Sequence, residues 1–237
     1  MTPVLTLTVF RDNWHHDIGD PGLCLFTAAL KAAPPEVQIA GRVLEIGCAE
    51  CNWLTWAHQA DSSLELHGID WRACEGRPGT IYRGDVCSPG VFARPGTADS
   101  DTNPLIAHHQ YFDTIVSLSA IEHIGLGHYE NDPEDPEGDI VTVRNAYQWL
   151  KPGGWLYADV PYRPDKPFHV MGTEYRCYDD EALKARLLRP FWPPAGEVVW
   201  MGYAHASRPS RLIQKPTQRA VGGRGFHYAA MWLRKSG

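Results

Sequence analysis

The chain has 237 residues, the size of one α/β domain with a full hydrophobic core. Its net charge of -6 gives no general attraction to nucleic acid, and its apolar runs are far shorter than the roughly 20 residues of a membrane span. The six cysteines lack the paired spacing of a disulfide framework. The first ten residues alternate threonine with apolar residues, unlike the basic and then apolar pattern of a signal segment. We therefore expect a single cytoplasmic domain over 1–237, with an N-terminal cap segment at 1–40 and a core at 41–237.

The predicted elements alternate between strands and helices, which is typical of a parallel sheet with crossover helices. Near-continuous apolar runs predict buried strands at Arg42–Ile46, Glu65–Ile69, Thr80–Arg83, Phe112–Leu118 and Trp155–Val160. Helices are predicted at Pro21–Ala32, Ile140–Leu150 and from Asp179 through Leu188, and two last strands at Val198–Tyr203 and Phe226–Leu233. The pattern predicts a Rossmann-like seven-stranded, mostly parallel sheet with helices on both faces and a C-terminal antiparallel hairpin.

The first strand of this sheet ends in an acidic residue, a glycine and a turn of small residues, Val43-Leu44-Glu45-Ile46-Gly47-Cys48-Ala49-Glu50-Cys51. A helix-like segment follows, which places backbone N–H groups against an anionic ligand group. The pattern resembles motif I of the class I S-adenosylmethionine (SAM) dependent methyltransferases, acidic-x-Gly-x-Gly-x-Gly, with Ala49 and Cys51 at the second and third glycines. The resemblance implies cofactor contacts from Glu45, Gly47, Cys48 and Ala49. Read as half a zinc site, Cys48 and Cys51 lack a second Cys or His pair to complete it.

Acidic residues also follow the second and third strands. Asp70 closes the second strand, where a carboxylate accepts two hydrogen bonds at once and suits both ribose hydroxyls. Trp71 and Arg72 come next and could pack on the adenine, although core packing is the alternative for the tryptophan. The following Asp85-Val86 resembles the adenine-binding motif of the same family, in which the carboxylate takes the adenine amino group and the next N–H meets the ring.

The segment after the fourth strand carries the most distinctive motif. Ile121-Glu122-His123 is similar to a signature of many small-molecule SAM methyltransferases, and Ser117 just before it is assigned to the cofactor. The longer Glu-His-Ile-Gly-Leu-Gly-x-Tyr, followed by Asp-Pro-x-Gly-Asp, resembles an uncharacterised methyltransferase-like family found near polysaccharide and secondary-metabolite genes. With the later Lys151-Pro152-Gly153-Gly154, the resemblance covers roughly residues 40–185.

Methyl transfer to an alcohol requires positioning of the acceptor and removal of its proton. His123 is the predicted general base because imidazole titrates near neutral pH, and Glu122 is assigned to catalysis beside it. The open alternative is that His123 packs under the loop and Glu122 caps a helix. A proline-rich aromatic segment after the fifth strand is typical of a substrate lid. The predicted acceptor contacts are His128, Tyr162, Arg163, His169, Tyr175 and Arg176, with structural packing as the alternative for each tyrosine.

These motifs predict a SAM-dependent methyltransferase acting on a small molecule, with O-methylation of a sugar or natural-product hydroxyl. The altered glycine turn motivates one alternative, a catalytically silent SAM-binding scaffold. A second is a metal-assisted RNA 3′-end methyltransferase, whose Glu-x-x-Glu-His motif is matched in part, with Ser119 at the first glutamate. A third is an NAD-dependent oxidoreductase, because a strand, glycine turn and later acidic residue also describe NAD sites. We expect no metal, no membrane partner and no nucleic acid.

Overall fold

The computed structural model describes residues 21–88, 110–129, 133–213, 215 and 227–237. The first 20 residues of the predicted cap segment and Phe226 lie outside these ranges. The strands of the described ranges are Arg42–Ile46 (β1), Glu65–Asp70 (β2), Thr80–Arg83 (β3), Phe112–Ser117 (β4), Leu150–Tyr162 (β5), His169–Met171 (β6), Tyr175–Cys177 (β7), Gly196–His205 (β8), Leu212–Ile213 (β9) and His227–Lys235 (β10).

The helices of the same ranges are Pro21–Ala32 (α1), Trp53–Ala60 (α2), Gly138–Trp149 (α3) and Asp180–Ala182 (α4). The last of these continues as a π-helix at Leu183–Leu188 and a 3₁₀ helix at Arg189–Phe191. It begins where the side chain of Asp179 accepts a hydrogen bond of 2.8 Å from the Ala182 N–H, which satisfies an otherwise unpaired helix N-terminus. No helix in the described ranges has the length and apolar character needed to cross a membrane.

The main sheet has the strand order β3-β2-β1-β4-β5-β10-β8-β9. Its first five strands are parallel, with β1 between β2 and β4. Parallel strands that are covered on both faces are apolar throughout, as the sequence pattern predicts. Because the carboxyl ends of these strands share one edge of the sheet, the segments that follow them lie side by side there.

The sheet contains eight strands, and the predicted number of seven was wrong. The additional strand, β9, is only two residues long and pairs with β8 at the outer edge, through Tyr203 opposite Ile213. A two-residue strand is too short to produce a periodic sequence pattern. The predicted antiparallel hairpin is present as β8 and β10, and β10 lies inside the sheet between β5 and β8, antiparallel to both.

Most predicted element bounds match the structure, and α1 matches at both ends. The largest difference is β5, which begins at Leu150, whereas the prediction placed Lys151–Gly154 in a turn before a strand starting at Trp155. Leu150 already pairs with Phe112 of β4, and the register between β4 and β5 then shifts before Thr114 pairs with Trp155. The Pro-Gly-Gly stretch is therefore an irregularity within the paired strand.

Hydrophobic clusters cover both faces of the sheet. One cluster joins Leu44 and Ile46 of β1 to α3 and the π-helix. The other joins Val43 of β1 to α1 and α2. Alternate residues of β1 thus enter opposite layers, as expected of a strand in the middle of a three-layer α/β domain.

Phe26 of α1 lies at the centre of the second cluster and has no exposed surface. Its ring makes edge-to-face contacts with Trp53 at 5.8 Å and with Tyr157 at 4.9 Å between ring centroids, and it lies 6.0 Å from Trp232. This arrangement fixes α1 across β5 and β10, next to the edge where the carboxyl ends of the strands meet.

We expect Phe26→Ala to lower the free energy of unfolding by about 3–5 kcal/mol, because the substitution leaves a cavity among three large aromatic side chains. Trp192→Ala is the matched control, since Trp192 is 49% exposed and its loss should cost less than about 1 kcal/mol. Urea denaturation of both variants measures the difference. Equal losses would contradict the central packing role of Phe26.

Candidate functional site

A cavity of about 890 Å³ opens at the carboxyl edge of the parallel strands. Its walls come from the turn after β1, the end of β2, the segments after β3 and β4, one residue of β10, and parts of α1 and α2. Seven residues predicted from the sequence line it: Gly47, Asp70, Trp71, Arg72, Asp85, Val86 and His123. Its volume lies in the range typical of small-molecule and cofactor sites.

The turn after β1 approaches the segment after β4 so closely that glycine is required at position 47. Gly47 has φ +83°, and a Cβ at this position would overlap the Cβ of Ala120. The Gly47 N–H donates to the carbonyl of Ile69 at 2.9 Å, which ties the turn to β2. A side chain here would both strain the backbone and push the two cavity walls apart.

The remaining residues of this turn have separate environments. Cys48 is fully buried, and its Sγ lies 3.5 Å from the Sγ of Cys74 in the segment after β2. Its hydrogen bond with the Cys74 thiol, together with burial, raises the pKa of Cys48. Cys51, at the third glycine position of the motif, lines the cavity. Within the described ranges, no three His, Cys, Asp or Glu side chains form a group that could hold a metal ion.

Asp70, the predicted ribose acceptor, is nearly buried in the cavity wall and receives four hydrogen bonds. Its Oδ2 accepts from the Ala49 N–H at 3.0 Å and from Arg72 Nη2 at 3.3 Å. Its Oδ1 accepts from the Arg72 N–H at 2.9 Å and from Arg72 Nε at 3.1 Å. Ala49 thus contributes its backbone to the cavity wall indirectly, through Asp70.

The Arg72 side chain lines the cavity and contacts the segments that follow β1 and β4. Its guanidinium also forms an ion pair with Glu50, and it lies 3.9 Å above the ring of Tyr129. Partial burial opposes the charge of Arg72, but the hydrogen bond and charge of Asp70 outweigh that effect and raise the pKa. The guanidinium therefore stays charged at the mouth of the cavity.

The segment after β3 supplies the predicted adenine contacts. Asp85 Oδ1 accepts a hydrogen bond of 2.8 Å from the Cys87 N–H, which holds the carboxylate in a tight turn. The Val86 carbonyl accepts from the Asn145 side chain at 2.8 Å, which anchors the same turn to α3. Both residues line the cavity, as does Trp71.

His123 lies in the cavity wall with a defined tautomer. Its Nδ1 contacts the carbonyl oxygen of Glu174, and a carbonyl only accepts, so Nδ1 carries the hydrogen. The lone pair of the neutral ring is then on Nε2. Burial, with a smaller effect of His128, lowers the pKa of His123, so the ring is neutral near pH 7.

Glu122 does not line the cavity and is almost fully buried. Its Oε1 lies 3.9 Å from His123 Nε2, which is longer than a hydrogen bond. Burial, followed by the charge of Asp159, raises the pKa of Glu122 well above the ordinary value. The Glu122 carboxyl therefore holds a proton more readily than an exposed carboxyl does, and it lies beside His123 without a hydrogen bond to it.

Beneath the cavity lies a buried carboxylate, Asp159 of β5. Ser119 donates to its Oδ1 from the backbone N–H at 3.0 Å and from Oγ at 2.8 Å. Tyr228 of β10 lines the cavity above this pair, and burial raises its pKa to about 12. Glu45 and Ser117, both predicted to contact the cofactor, are fully buried and lie behind the wall.

The structure places Arg176 outside the cavity, as a fully buried link between β7 and the segment after β4. Its N–H donates to the carbonyl of Glu122 at 3.0 Å and its Nη1 to that of Ile124 at 2.6 Å. Its Nη2 donates to the carbonyl of Asp135 at 3.1 Å, and its Nε lies 3.5 Å from Asp139 Oδ1. These contacts hold the loop that carries His123.

The other predicted acceptor residues also lie outside the cavity lining. Tyr162 is buried and donates to Asp180 at 3.0 Å, and Arg163 forms a two-point ion pair with Asp165. His169 forms a hydrogen bond with the Pro167 carbonyl at 2.8 Å. His128 and Tyr175 flank His123, with ring centroids at 5.9 and 6.3 Å. The predicted lid is a hairpin, β6 and β7, that packs against the back of the His123 loop.

Several cavity residues were not assigned from the sequence. Tyr129 ends the Gly-Leu-Gly-x-Tyr motif, so its position in that motif was an available signal. Leu23, Trp56 and Tyr228 come from α1, α2 and β10, and only the assembled sheet brings them to this edge. A local sequence pattern contains no such signal.

Comparison with known proteins agrees with this geometry. A family model described as Caenorhabditis protein of unknown function, DUF268, matches residues 102–178, which include the segment after β4 and the β6–β7 hairpin. No curated protein matches the chain. Similar solved structures include a SAM-dependent methyltransferase from Archaeoglobus fulgidus, with TM-score 0.57 and 15% sequence identity over 92% of this chain and 95% of that protein.

A second similar structure is the O-methyltransferase of a trans-AT PKS multienzyme from Brevibacillus brevis, in complex with S-adenosylhomocysteine (SAH). Its TM-score is 0.53 at 11% identity, over 83% of this chain and 67% of that one. A third is phosphoethanolamine N-methyltransferase 2 from Haemonchus contortus, with TM-score 0.52 and 12% sequence identity. The match covers 98% of this chain and 57% of that protein. The fold is therefore that of the class I SAM-dependent methyltransferases.

The requirement for glycine at position 47 can be tested against a second glycine of similar conformation. Gly153 has φ +78° and no neighbour within 4 Å of a built Cβ, so Gly153→Ala should cost only the left-handed strain of about 1 kcal/mol. Gly47→Ala should cost about 1–3 kcal/mol more because of the overlap with Ala120. Urea unfolding measures both, and equal losses would show that the two walls do not touch as described.

Proposed function

We propose that this chain is a SAM-dependent methyltransferase that methylates a hydroxyl group of a small molecule such as a sugar or natural product. The observation that carries the proposal is the convergence of four strand ends on one cavity. The turn at Gly47, the carboxylates of Asp70 and Asp85, and the imidazole of His123 all line it. The similarity of fold to known methyltransferases supports the same conclusion.

The residues of the cofactor end fit SAM. Gly47 lets the turn after β1 lie directly against the segment after β4 in the cavity wall, Asp70 would accept the ribose hydroxyls, and Asp85 and Val86 would meet the adenine edge. The cavity of about 890 Å³ has room for a nucleoside and a small second molecule. SAM, when bound, supplies an electrophilic methyl group on a sulfonium centre.

His123 is the group that would take the acceptor proton. Its Nδ1–H is held by the Glu174 carbonyl, so Nε2 offers the lone pair, and the lowered pKa keeps the ring unprotonated near pH 7. The proton of the hydroxyl would move to Nε2. The adjacent Glu122, whose pKa is raised by burial, makes no hydrogen bond to the ring.

The acceptor would bind at the His123 end of the cavity. Ile124, Tyr129 and Tyr228 line that end, which gives a mainly aromatic surface suited to the face of a sugar or a polyketide-like ring. His128 and Tyr175 beside His123 are the predicted acceptor residues that such a ligand could reach. The chemistry of the cavity also permits the silent scaffold alternative, which differs only in the absence of turnover.

We expect the purified protein to bind SAM and SAH in isothermal titration calorimetry. Asp70→Asn should weaken SAH binding about tenfold or more, since it removes the charge that strengthens hydrogen bonds to the ribose. Asp61→Asn, at the C-terminal end of α2, is the control and should leave binding unchanged.

Absence of SAM and SAH binding would contradict the proposed cofactor. Displacement of bound SAH by NAD would favour the oxidoreductase alternative. Tight SAM binding without turnover of a broad panel of hydroxylated acceptors would favour the scaffold alternative.

The pH dependence of turnover tests the base. Protonation of His123 removes the lone pair, so kcat should fall on the acid side, and the lowered pKa places this fall below pH 6.5. His123→Ala should lower kcat by about 10²–10⁴-fold and remove the acid limb. His58→Ala, on the exposed face of α2, should retain the wild-type profile. An unchanged profile in His123→Ala would exclude His123 as the base.

A further inference from the structure

We propose that Arg72 is a built-in competitor for the ribose site, so that the cofactor must displace its side chain from Asp70. This inference rests on the proposed function, because it assumes that Asp70 accepts the ribose hydroxyls. It makes Arg72 a residue that sets cofactor affinity.

The argument begins with the number of hydrogen bonds that a carboxylate can accept. Two carboxylate oxygens offer about four lone-pair positions. Asp70 already accepts four hydrogen bonds, from the N–H groups of Ala49 and Arg72 and from Nε and Nη2 of the Arg72 side chain. A ribose diol that donates two hydrogen bonds to Asp70 must therefore replace two existing donors.

The two backbone donors belong to the cavity wall. The Ala49 N–H is fixed by the turn after β1, which Gly47 ties to β2, and the Arg72 N–H closes a short turn with the side chain of Asp70 two residues earlier. Replacing either donor would require the wall itself to move. The two donors of the guanidinium move by side-chain rotation alone, so these are the ones that the ribose replaces.

The guanidinium has other contacts to which it can move. It forms an ion pair with Glu50, whose side chain is 71% exposed, and lies over the ring of Tyr129. Both partners line the same cavity as Asp70 and Arg72. Rotation of Arg72 away from Asp70 can therefore keep a carboxylate and an aromatic face as partners, which limits the cost of the displacement.

Displacement has consequences for ligand choice. A ligand with both ribose hydroxyls can replace both lost hydrogen bonds on Asp70, whereas a 2′-deoxy analogue can replace only one. Arg72 therefore increases discrimination for the diol, since an incomplete replacement leaves a buried carboxylate position without a donor. The price of this selectivity is weaker binding of the correct ligand.

The experiment measures SAH affinity by calorimetry for wild type, Arg72→Ala, Arg72→Lys and a control. SAH is the probe because it lacks the sulfonium charge, which limits direct repulsion by Arg72. Arg72→Ala should bind SAH about tenfold more tightly, the effect of one charge-assisted hydrogen bond at a partly exposed site. Arg72→Lys, which keeps the charge but not the two-point geometry, should fall between wild type and Arg72→Ala.

The matched control is Arg83→Ala. Arg83 is exposed on β3, where it pairs with Asp70 through the backbone ladder, and its side-chain Nε donates to the Trp71 carbonyl at 3.3 Å and not to the Asp70 carboxylate. The Arg83→Ala substitution removes one positive charge from the neighbouring strand, as Arg72→Ala removes one from the cavity wall. The SAH affinity of Arg83→Ala should therefore stay within about twofold of wild type. Thermal melting of each variant without ligand confirms folding, and the SAH-induced rise in Tm gives a second measure of affinity.

The outcomes separate the two proposals. If wild type binds SAH and folded Arg72→Ala binds it equally or more weakly, Arg72 supports the cofactor and the competitor role is overturned. If Arg72→Ala and Arg83→Ala bind SAH more tightly by the same factor, the cause is the loss of one positive charge near the site. That result would also overturn the competitor role of Arg72. If neither wild type nor Arg72→Ala binds SAH, the proposed function itself falls and the inference with it.

Discussion

The buried guanidinium of Arg176 holds in place the loop that carries His123. A charge without exposed surface is stable only when surrounding groups satisfy it, and here carbonyl oxygens from the segment after β4 and the carboxylate of Asp139 do so. Asp139 in turn accepts from Tyr178 at 2.8 Å and from Arg186. Arg176 belongs to the β6–β7 hairpin, and this hairpin also supplies the Glu174 carbonyl that orients His123. The direction of the imidazole lone pair therefore depends on an ion-pair network that does not touch the cavity.

The two ends of the cavity are built on different physical principles. At the acceptor end, polar groups are buried and linked to several elements, so each one constrains the others. At the cofactor end, Asp70 is fixed by backbone donors but is also covered by a side chain that reaches solvent. The His123 end is thus cross-linked to several elements, whereas the Asp70 end is covered by a side chain that rotation alone can move.

Local sequence patterns predicted the parallel half of the sheet and the cavity residues Asp70 and His123, because residues after parallel strands necessarily share one edge. They did not predict the position of Arg176, since its burial depends on Asp139 and on a hairpin that docks behind the loop. Tyr228 was not predicted because the local sequence of β10 carries no signal that this strand lies between β5 and β8. The features that local patterns did not predict depend on contacts between residues far apart in sequence. They are the position of β10 in the strand order and the docking of the β6–β7 hairpin.

The inner position of β10 has a consequence for how the chain assembles. His227–Lys235 is the last strand in the sequence, yet it pairs with β5 on one side and β8 on the other, and most of its residues are buried. Until β10 pairs, one edge of β5 is unpaired, and β8 and β9 are not hydrogen-bonded to the parallel strands of the sheet. Pairing over such a sequence separation is slow, and an open apolar edge invites contact with other chains. The sheet thus closes only through strand pairings that are distant in sequence, and until they form the edge of β5 is open to contact with other chains.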